Sequence, residues 1–263
     1  MTKHYAVLGS PISHSKSPII HGTAFKFQGV AAEYRAIEVA DGLGEFIASQ
    51  TDSYQGFSIT MPLKEQALDF ADRADSLAIA TGAANTLIRT EAGWDAYNTD
   101  VFGIQQAVSA IRFKTVSVIG TGATARSAIV AMQQLDKQVS IWGRNVQSIK
   151  QLAAEFEVGT QALFHKACEA DLVISTLPPR ALDQYLPTLK VQPRGILLDV
   201  AYDPWPSQAA DLWGADKTIS GIEMLLWQAL GQQRLFAGND LDEPLSREKE
   251  LLSAIREALN MAK

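Results

Sequence analysis

The 263-residue chain holds a single cysteine, Cys168. One thiol cannot close an internal disulfide, and no Cys/His group has zinc-ligand spacing, so a disulfide-stapled scaffold and a Cys/His zinc site are both excluded and no metal is expected. Cys168 reads as a small buried hydrophobe in a reducing compartment. Positive charge is also scarce: 23 Lys and Arg stand against 29 Asp and Glu, a net charge of −6. That balance provides no global basic field for a phosphate backbone and excludes nucleic acid as the main partner, while leaving room for one local anion pocket. Long apolar runs are missing too, none approaching the roughly 18 residues that span a bilayer. The N-terminal MTKHYAVLGSPISHSKSP meets prolines and polar residues before a signal-peptide core develops. The chain therefore reads as cytoplasmic, with no membrane partner, and it contains neither an internal repeat nor a low-complexity linker.

What is present is ordinary globular material, 47% hydrophobic and 20% charged. The length exceeds the usual domain size of about 100–150 residues and favours two domains. Up to about residue 100, short strand-like stretches at Tyr5 to Leu8, Tyr34 to Val39, Phe57 to Thr60, Thr86 to Arg89 and Trp94 to Tyr97 alternate with helical segments. Asp100 to Ile111 is helical in pattern and joins the halves. A more regular series follows: strands at Thr115 to Ile119, Gln138 to Trp142, Leu172 to Thr176, Gly195 to Val200 and Thr218 to Ser220, with helices at Ala123 to Leu135 and Val146 to Phe156. Strand–helix alternation of this kind predicts a parallel sheet covered by helices on both faces. A helix through Phe236 and a final amphipathic helix bearing Leu251, Leu252, Ile255 and Leu259 complete the chain. The expected fold class is α/β: an N-terminal α/β domain, residues 1–100 completed by about 222–263, and a doubly wound, Rossmann-like domain, 101–221.

The motif Gly120-Thr121-Gly122-Ala123-Thr124-Ala125 lies directly between a predicted strand and a predicted helix. It fits G-x-G-x-x-G/A, in which glycines permit a tight turn and let a diphosphate approach the N–H groups of the helix start. A dinucleotide is the implied ligand. At the end of the next strand, where an NAD site carries an acid for the ribose 2′-hydroxyl, the chain reads Ile141-Trp142-Gly143-Arg144-Asn145. Arg144 can clamp a 2′-phosphate, with Arg126 or Lys150 adding charge nearby, so NADP is preferred over NAD; the alternative is an ordinary surface arginine.

The first half carries polar groups at strand ends. Ser15 and Ser17, in GSPISHSKSP, can hydrogen-bond an anion or cap the helix beginning near Pro18. Lys64 follows SITMPL, and GAANT and YNTD present Asn85, Asn98 and Asp100, the last a possible cap of the connecting helix. In this order, GSPISHSKSPIIH, SITMPLK, GAANTL, YNTDVFG, DVAYDP and GIEMLLWQAL resemble the shikimate dehydrogenase family from about Gly9 to Leu230. The pattern departs from the family's where Gly122-Ala123 replaces a second consecutive glycine and where Gly143-Arg144-Asn145 replaces Asn-Arg-Thr.

The resemblance implies reversible NADP-dependent oxidation of shikimate to 3-dehydroshikimate, within chorismate and aromatic amino-acid biosynthesis, by a monomer or homodimer. It implies that Ser15, Ser17, Thr60, Lys64, Asn85, Asp100, Tyr202 and Gln228 contact the cyclic acid, with Lys64 and Asp100 the catalytic pair. Gly120, Gly122, Ala123 and Arg144 would hold the nucleotide, and Thr176, Gly221 and Met224 would lie along its nicotinamide side. Oxidising a secondary alcohol sends a hydride to the nicotinamide and requires a group that takes the hydroxyl proton. Lys64 does this only where its site lowers its basicity; otherwise it serves as a charge-stabilising donor, and the negative Asp100 favours its charged form. The sequence leaves open which residue is the kinetic base, and the two read as a coupled unit. Three alternatives share parts of this pattern: a quinate/shikimate or aminoshikimate dehydrogenase, a noncatalytic NADP-sensing module, and a folate-linked dehydrogenase of related architecture.

Overall fold

The computed structural model describes residues 2–50 and 54–261. Packing divides the chain into two units, Met1–Thr99 with Gln228–Lys263, and Asp100–Trp227. The second division falls inside the helix Gly221–Phe236, between Trp227 and Gln228, rather than at the head of that helix.

The first unit opens with β1 (Lys3–Gly9), α1 (Ser17–Gln28), β2 (Ala32–Glu38), α2 (Leu43–Ser49), β3 (Tyr54–Ile59), α3 (Lys64–Phe70), β4 (Arg73–Ala74), α4 (Ser76–Thr81), β5 (Thr86–Thr90) and β6 (Gly93–Tyr97). Its sheet runs β2-β1-β3-β5-β6-β4. β1 pairs parallel with β2 on one side and β3 on the other, and β5 returns antiparallel to β3. The apolar run Tyr5 to Leu8 is buried throughout, as a central parallel strand requires, whereas edge strand β2 is half exposed. Leu8, Phe57, Leu63 and Leu87 belong to one core cluster.

The second unit contains α5 (Asp100–Ala107), β7 (Thr115–Ile119), α6 (Ala123–Gln133), β8 (Gln138–Trp142), α7 (Val146–Phe156), β9 (Gly159–Thr160), α8 (Phe164–Ala167), β10 (Leu172–Ser175), β11 (Ile196–Asp199), α9 (Gln208–Trp213) and β12 (Thr218–Ser220). Every neighbouring pair in the order β12-β11-β10-β7-β8-β9 is parallel. Counted from β7, this is the 3-2-1-4-5-6 order of the doubly wound dinucleotide fold. The two-residue strands β4 and β9 escape the sequence reading because two residues cannot display an alternation.

Helix α10 (Gly221–Phe236) crosses the division, and α11 (Glu248–Met261) packs on α1 in the first unit. The apolar face of α11 is buried through Leu251, Leu252, Ile255 and Leu259. Between the helices, buried Arg234 donates to Glu248 at 2.6 and 2.9 Å and to the Leu241 carbonyl at 2.6 Å, which fixes the connecting loop. Tyr5 lies between Phe25 and Phe236, with ring centroids 4.8 and 4.6 Å away.

Candidate active site

In open α/β sheets, ligands bind beyond the carboxyl ends of the strands where the winding reverses. In the first unit that point lies between β1 and β3. Their ends are tied by Thr60 N–H donating to the Leu8 carbonyl at 2.9 Å and Ser10 N–H donating to the Met61 carbonyl at 2.9 Å. Ser15 and Ser17 follow β1; Thr60 and Lys64 follow β3. The capping expectation for the serines is corrected here: the N-cap of α1 is Lys16, with no side-chain cap. Ser15 Oγ instead accepts the Ser17 N–H at 3.3 Å, and Ser17 is buried.

Lys64 opens α3 and is half-buried, and its carbonyl accepts the Ala84 N–H at 2.8 Å. The next residue, Asn85, is 2% exposed. Its Oδ1 accepts the Thr99 N–H at 2.9 Å and the Thr86 hydroxyl at 2.8 Å; its Nδ2 donates to Thr99 Oγ1 at 2.9 Å and to Gln228 Oε1 at 3.2 Å. The first unit thus joins Asn85 to Gln228 directly and holds the Lys64 backbone to Ala84, the residue before Asn85. Asn98, by contrast, braces the α4 turn through Thr81 and the Ala83 carbonyl.

Behind this set lies a group of residues to which the sequence reading assigned no role. Gln232 donates to Thr86 Oγ1 and to the Asn85 carbonyl, each at 2.9 Å, and accepts from Ser58 at 2.8 Å. His21 Nε2 meets Gln232 Oε1 at 3.1 Å, while Gln233 Nε2 meets His21 Nδ1 at 2.7 Å. His21 stacks on Tyr34, whose hydroxyl donates to Ser58 at 2.6 Å. Burial lowers the His21 pKa to about 3, partly opposed by the Gln232 hydrogen bond. Burial likewise raises that of Tyr34, against hydrogen bonds to Ser58 and Ser17. The signal available in the sequence is spacing: Ser17 with His21, and Gln228 with Gln232, are i,i+4 pairs that share a helix face.

In the second unit the glycine turn joins β7 to α6. Gly120 has φ +127°, and a Cβ there would lie 2.3 Å from Thr176 Oγ1. Gly122 is exposed, with nothing within 4 Å of its Cβ position, and it heads α6 without a side-chain cap. An open helix start with unblocked N–H groups fits a diphosphate. The start of α7 differs, since Asn145 Oδ1 accepts the Gln147 and Ser148 N–H groups at 2.9 and 3.1 Å. Arg144 is exposed just after β8, and its chain neighbours Gly143 and Asn145 carry no acid. Arg126 is bound to Glu155 and lies over the Phe156 ring, so its charge is already engaged. Thr176 follows β10 and donates to the Ile119 carbonyl at 2.9 Å. Gly221 has a packing reason of its own, because a Cβ there would lie 2.1 Å from the Val200 carbonyl; Met224, one turn on, is buried.

Asp100 is buried at the start of α5. Tyr202 is half-buried after β11, and burial, with the Asp203 charge adding, raises its pKa and keeps the phenol protonated. Its loop is held by Asp199, which accepts from Ser207 at 2.7 Å and from the Ala201 N–H at 3.3 Å. Among the described residues, no group of three or more His, Cys, Asp or Glu could hold a metal, and no helix is long and apolar enough to cross a membrane.

A doubly wound unit with an open glycine turn and an arginine in place of the ribose acid, in one chain with an α/β unit rich in polar strand ends, defines a nicotinamide-nucleotide-dependent oxidoreductase. Comparison with known proteins narrows the class. The family described as "Shikimate dehydrogenase substrate binding domain" matches residues 7–87, and that described as "NADP oxidoreductase coenzyme F420-dependent" matches residues 115–202. A "Shikimate dehydrogenase (NADP(+))" of Ignicoccus hospitalis is 33% identical over 89% of this chain and 93% of its own length. That of Thermus thermophilus is 31% identical over 89% and 92%. The crystal structure of Mycobacterium tuberculosis shikimate dehydrogenase superposes with a TM-score of 0.85 at 34% identity, covering 99% of this chain and 100% of the other. The Thermus thermophilus enzyme, solved with NADP(H) and shikimate, gives 0.84 at 29% identity over 98% and 100%. The chain belongs to the shikimate dehydrogenase family.

Proposed function

We propose that the protein is an NADP-dependent oxidoreductase that interconverts shikimate and 3-dehydroshikimate, a step of chorismate and aromatic amino-acid biosynthesis. The observation that carries this reading is the buried, fully bonded Asn85, tied to Gln228 and next in sequence to the residue that holds the Lys64 backbone, in a chain related over 89% of its length to an enzyme of that name. The unit Met1–Thr99 with Gln228–Lys263 serves the cyclic acid, and Asp100–Trp227 serves the nucleotide.

Gly120, Gly122 and Ala123 offer backbone N–H groups to the diphosphate, Arg144 takes the 2′-phosphate, and Thr176, Gly221 and Met224 lie along the nicotinamide. When bound, NADP supplies a hydride acceptor; the alcohol carbon loses hydride and the oxygen its proton, giving a ketone. Ser15, Ser17, Thr60, Asn85, Tyr202 and Gln228 hold the hydroxyls and carboxylate. Lys64 and Asp100 act as a coupled pair that orients the reacting hydroxyl and receives its proton. The species in solution is a monomer or homodimer in a reducing cytoplasm.

The test is steady-state oxidation of shikimate by Lys64→Ala and Asp100→Asn. Each is expected to lower kcat by about 10²–10⁴-fold while NADP binding persists. Near-normal turnover in both variants contradicts the assignment of the pair.

A further inference from the structure

Gln232 is the point at which two branches of buried hydrogen bonds meet. One runs from Tyr34 through Ser58 to Gln232 Oε1, and Tyr34 also bonds Ser17. The other runs from Gln232 Nε2 through Thr86 and Asn85 to Gln228. Every direction along the second branch follows from donor and acceptor chemistry. Thr86 Oγ1 accepts from Gln232, so its single proton goes to Asn85 Oδ1. An Asn85 oxygen that accepts from Thr86 and from the Thr99 N–H leaves the amide nitrogen as the end facing Gln228. Gln228 must then accept through Oε1, and the end turned away from Asn85 is its NH₂ donor.

The orientation of Gln232 is fixed by the Asn85 carbonyl, which accepts from its Nε2 at 2.9 Å, and by His21 on the opposite side. Gln28 donates to Gln233 Oε1 at 2.9 Å, so Gln233 presents its Nε2 to His21 Nδ1. Nδ1 is therefore the acceptor, and the proton sits on Nε2, donating to Gln232 Oε1. With both His21 and Ser58 donating to that oxygen, the amide of Gln232 cannot flip without leaving buried donors facing a donor.

We propose that Gln232, held by His21, is a positioning residue that braces Asn85 through its carbonyl and through Thr86 and, together with the Thr99 N–H, holds the amide polarity of Asn85 and Gln228, so that the substrate meets donors from Gln228 rather than a carbonyl oxygen. An acid with several hydroxyls is recognised by that polarity, because a reversed amide would oppose an oxygen to its carboxylate. This inference rests on Asn85 and Gln228 being substrate residues.

The experiment is a double-mutant cycle on the full-length protein, reading KM for shikimate, KM for NADP and kcat separately. Gln232→Met keeps the size and removes all its hydrogen bonds; Gln232→Glu keeps the acceptor and removes the donor, and serves where the first does not fold. Either is expected to raise KM for shikimate by about five- to twentyfold with KM for NADP unchanged. Combined with Asn85→Ala, it is expected to add less than about twofold to the effect of Asn85→Ala alone, because neighbours in one network are not additive. A wild-type KM for shikimate in a Gln232 variant, or full additivity in the cycle, overturns the proposal. If Asn85→Ala and Gln228→Ala themselves leave that KM unchanged, the substrate-site reading fails first and the relay falls with it.

Discussion

The carboxamide oxygen of Asn85 accepts the backbone N–H of Thr99 at 2.9 Å, and the chain passes directly from Thr99 into Asp100. One residue before Asn85, Ala84 donates to the Lys64 carbonyl at 2.8 Å. Besides its proposed contact with the substrate, Asn85 therefore holds the backbone beside Asp100, while its neighbour Ala84 holds that of Lys64. Asn85→Ala leaves the Thr86 hydroxyl and the Thr99 N–H buried without that acceptor. It is expected to cost about 1–3 kcal/mol in denaturant unfolding and to raise KM for shikimate about tenfold or more. An unchanged KM contradicts this role.

The two glycines of the α6 turn are expected to respond differently to alanine. At Gly120 the methyl meets Thr176 Oγ1 at 2.3 Å in a backbone conformation that side chains rarely adopt. Gly120→Ala should lower the melting temperature. At Gly122 the methyl enters open space, so Gly122→Ala should melt like wild type and, if the diphosphate sits there as proposed, lose NADP affinity. Calorimetric melting with NADP titration separates the two; equal stability losses contradict the reading.

Arg144 stands where an NAD site carries an acid. Arg144→Gln is expected to lower kcat/KM for NADP by about 10–100-fold and to leave that for NAD nearly unchanged. A parallel loss with both nucleotides contradicts 2′-phosphate recognition.

His21 gives a pH-dependent contribution to stability. Its folded pKa, about 3, lies below the ordinary value of 6.5, so the unfolded chain binds more protons between them. The stability is complete above pH 6.5 and is lost as pH falls toward 3. Between pH 6.5 and about pH 4.5 the loss should be roughly 2–3 kcal/mol. His21→Phe, which keeps a ring against Tyr34, should flatten that slope in urea unfolding; a variant with the wild-type slope contradicts the assignment.

Much of the fold is legible in the residues. Strands β7, β8 and β12 and helix α7 have the bounds the pattern predicts, because β-branched runs and a capping Asn145 mark them. The glycine turn is legible for the same reason, with a strand before it and a helix after it. The relay through Gln232 is not, because its partners come from α1, β2, β3, β5 and α10, and only folding places Ser58 beside a glutamine 174 positions away. The serines show the opposite failure: Ser15 and Ser17 match a helix-capping pattern, yet Lys16 takes the N-cap and Ser17 is drawn inward toward Tyr34.

The central claim is the reaction itself. The direct measurement is the initial rate of reduced-nucleotide formation by the purified protein with shikimate or quinate, each with NADP or NAD. The account predicts the fastest turnover with shikimate and NADP, exceeding the NAD rate by about tenfold or more. NADP binding with no turnover of shikimate, or a clear preference for quinate or NAD, would contradict it.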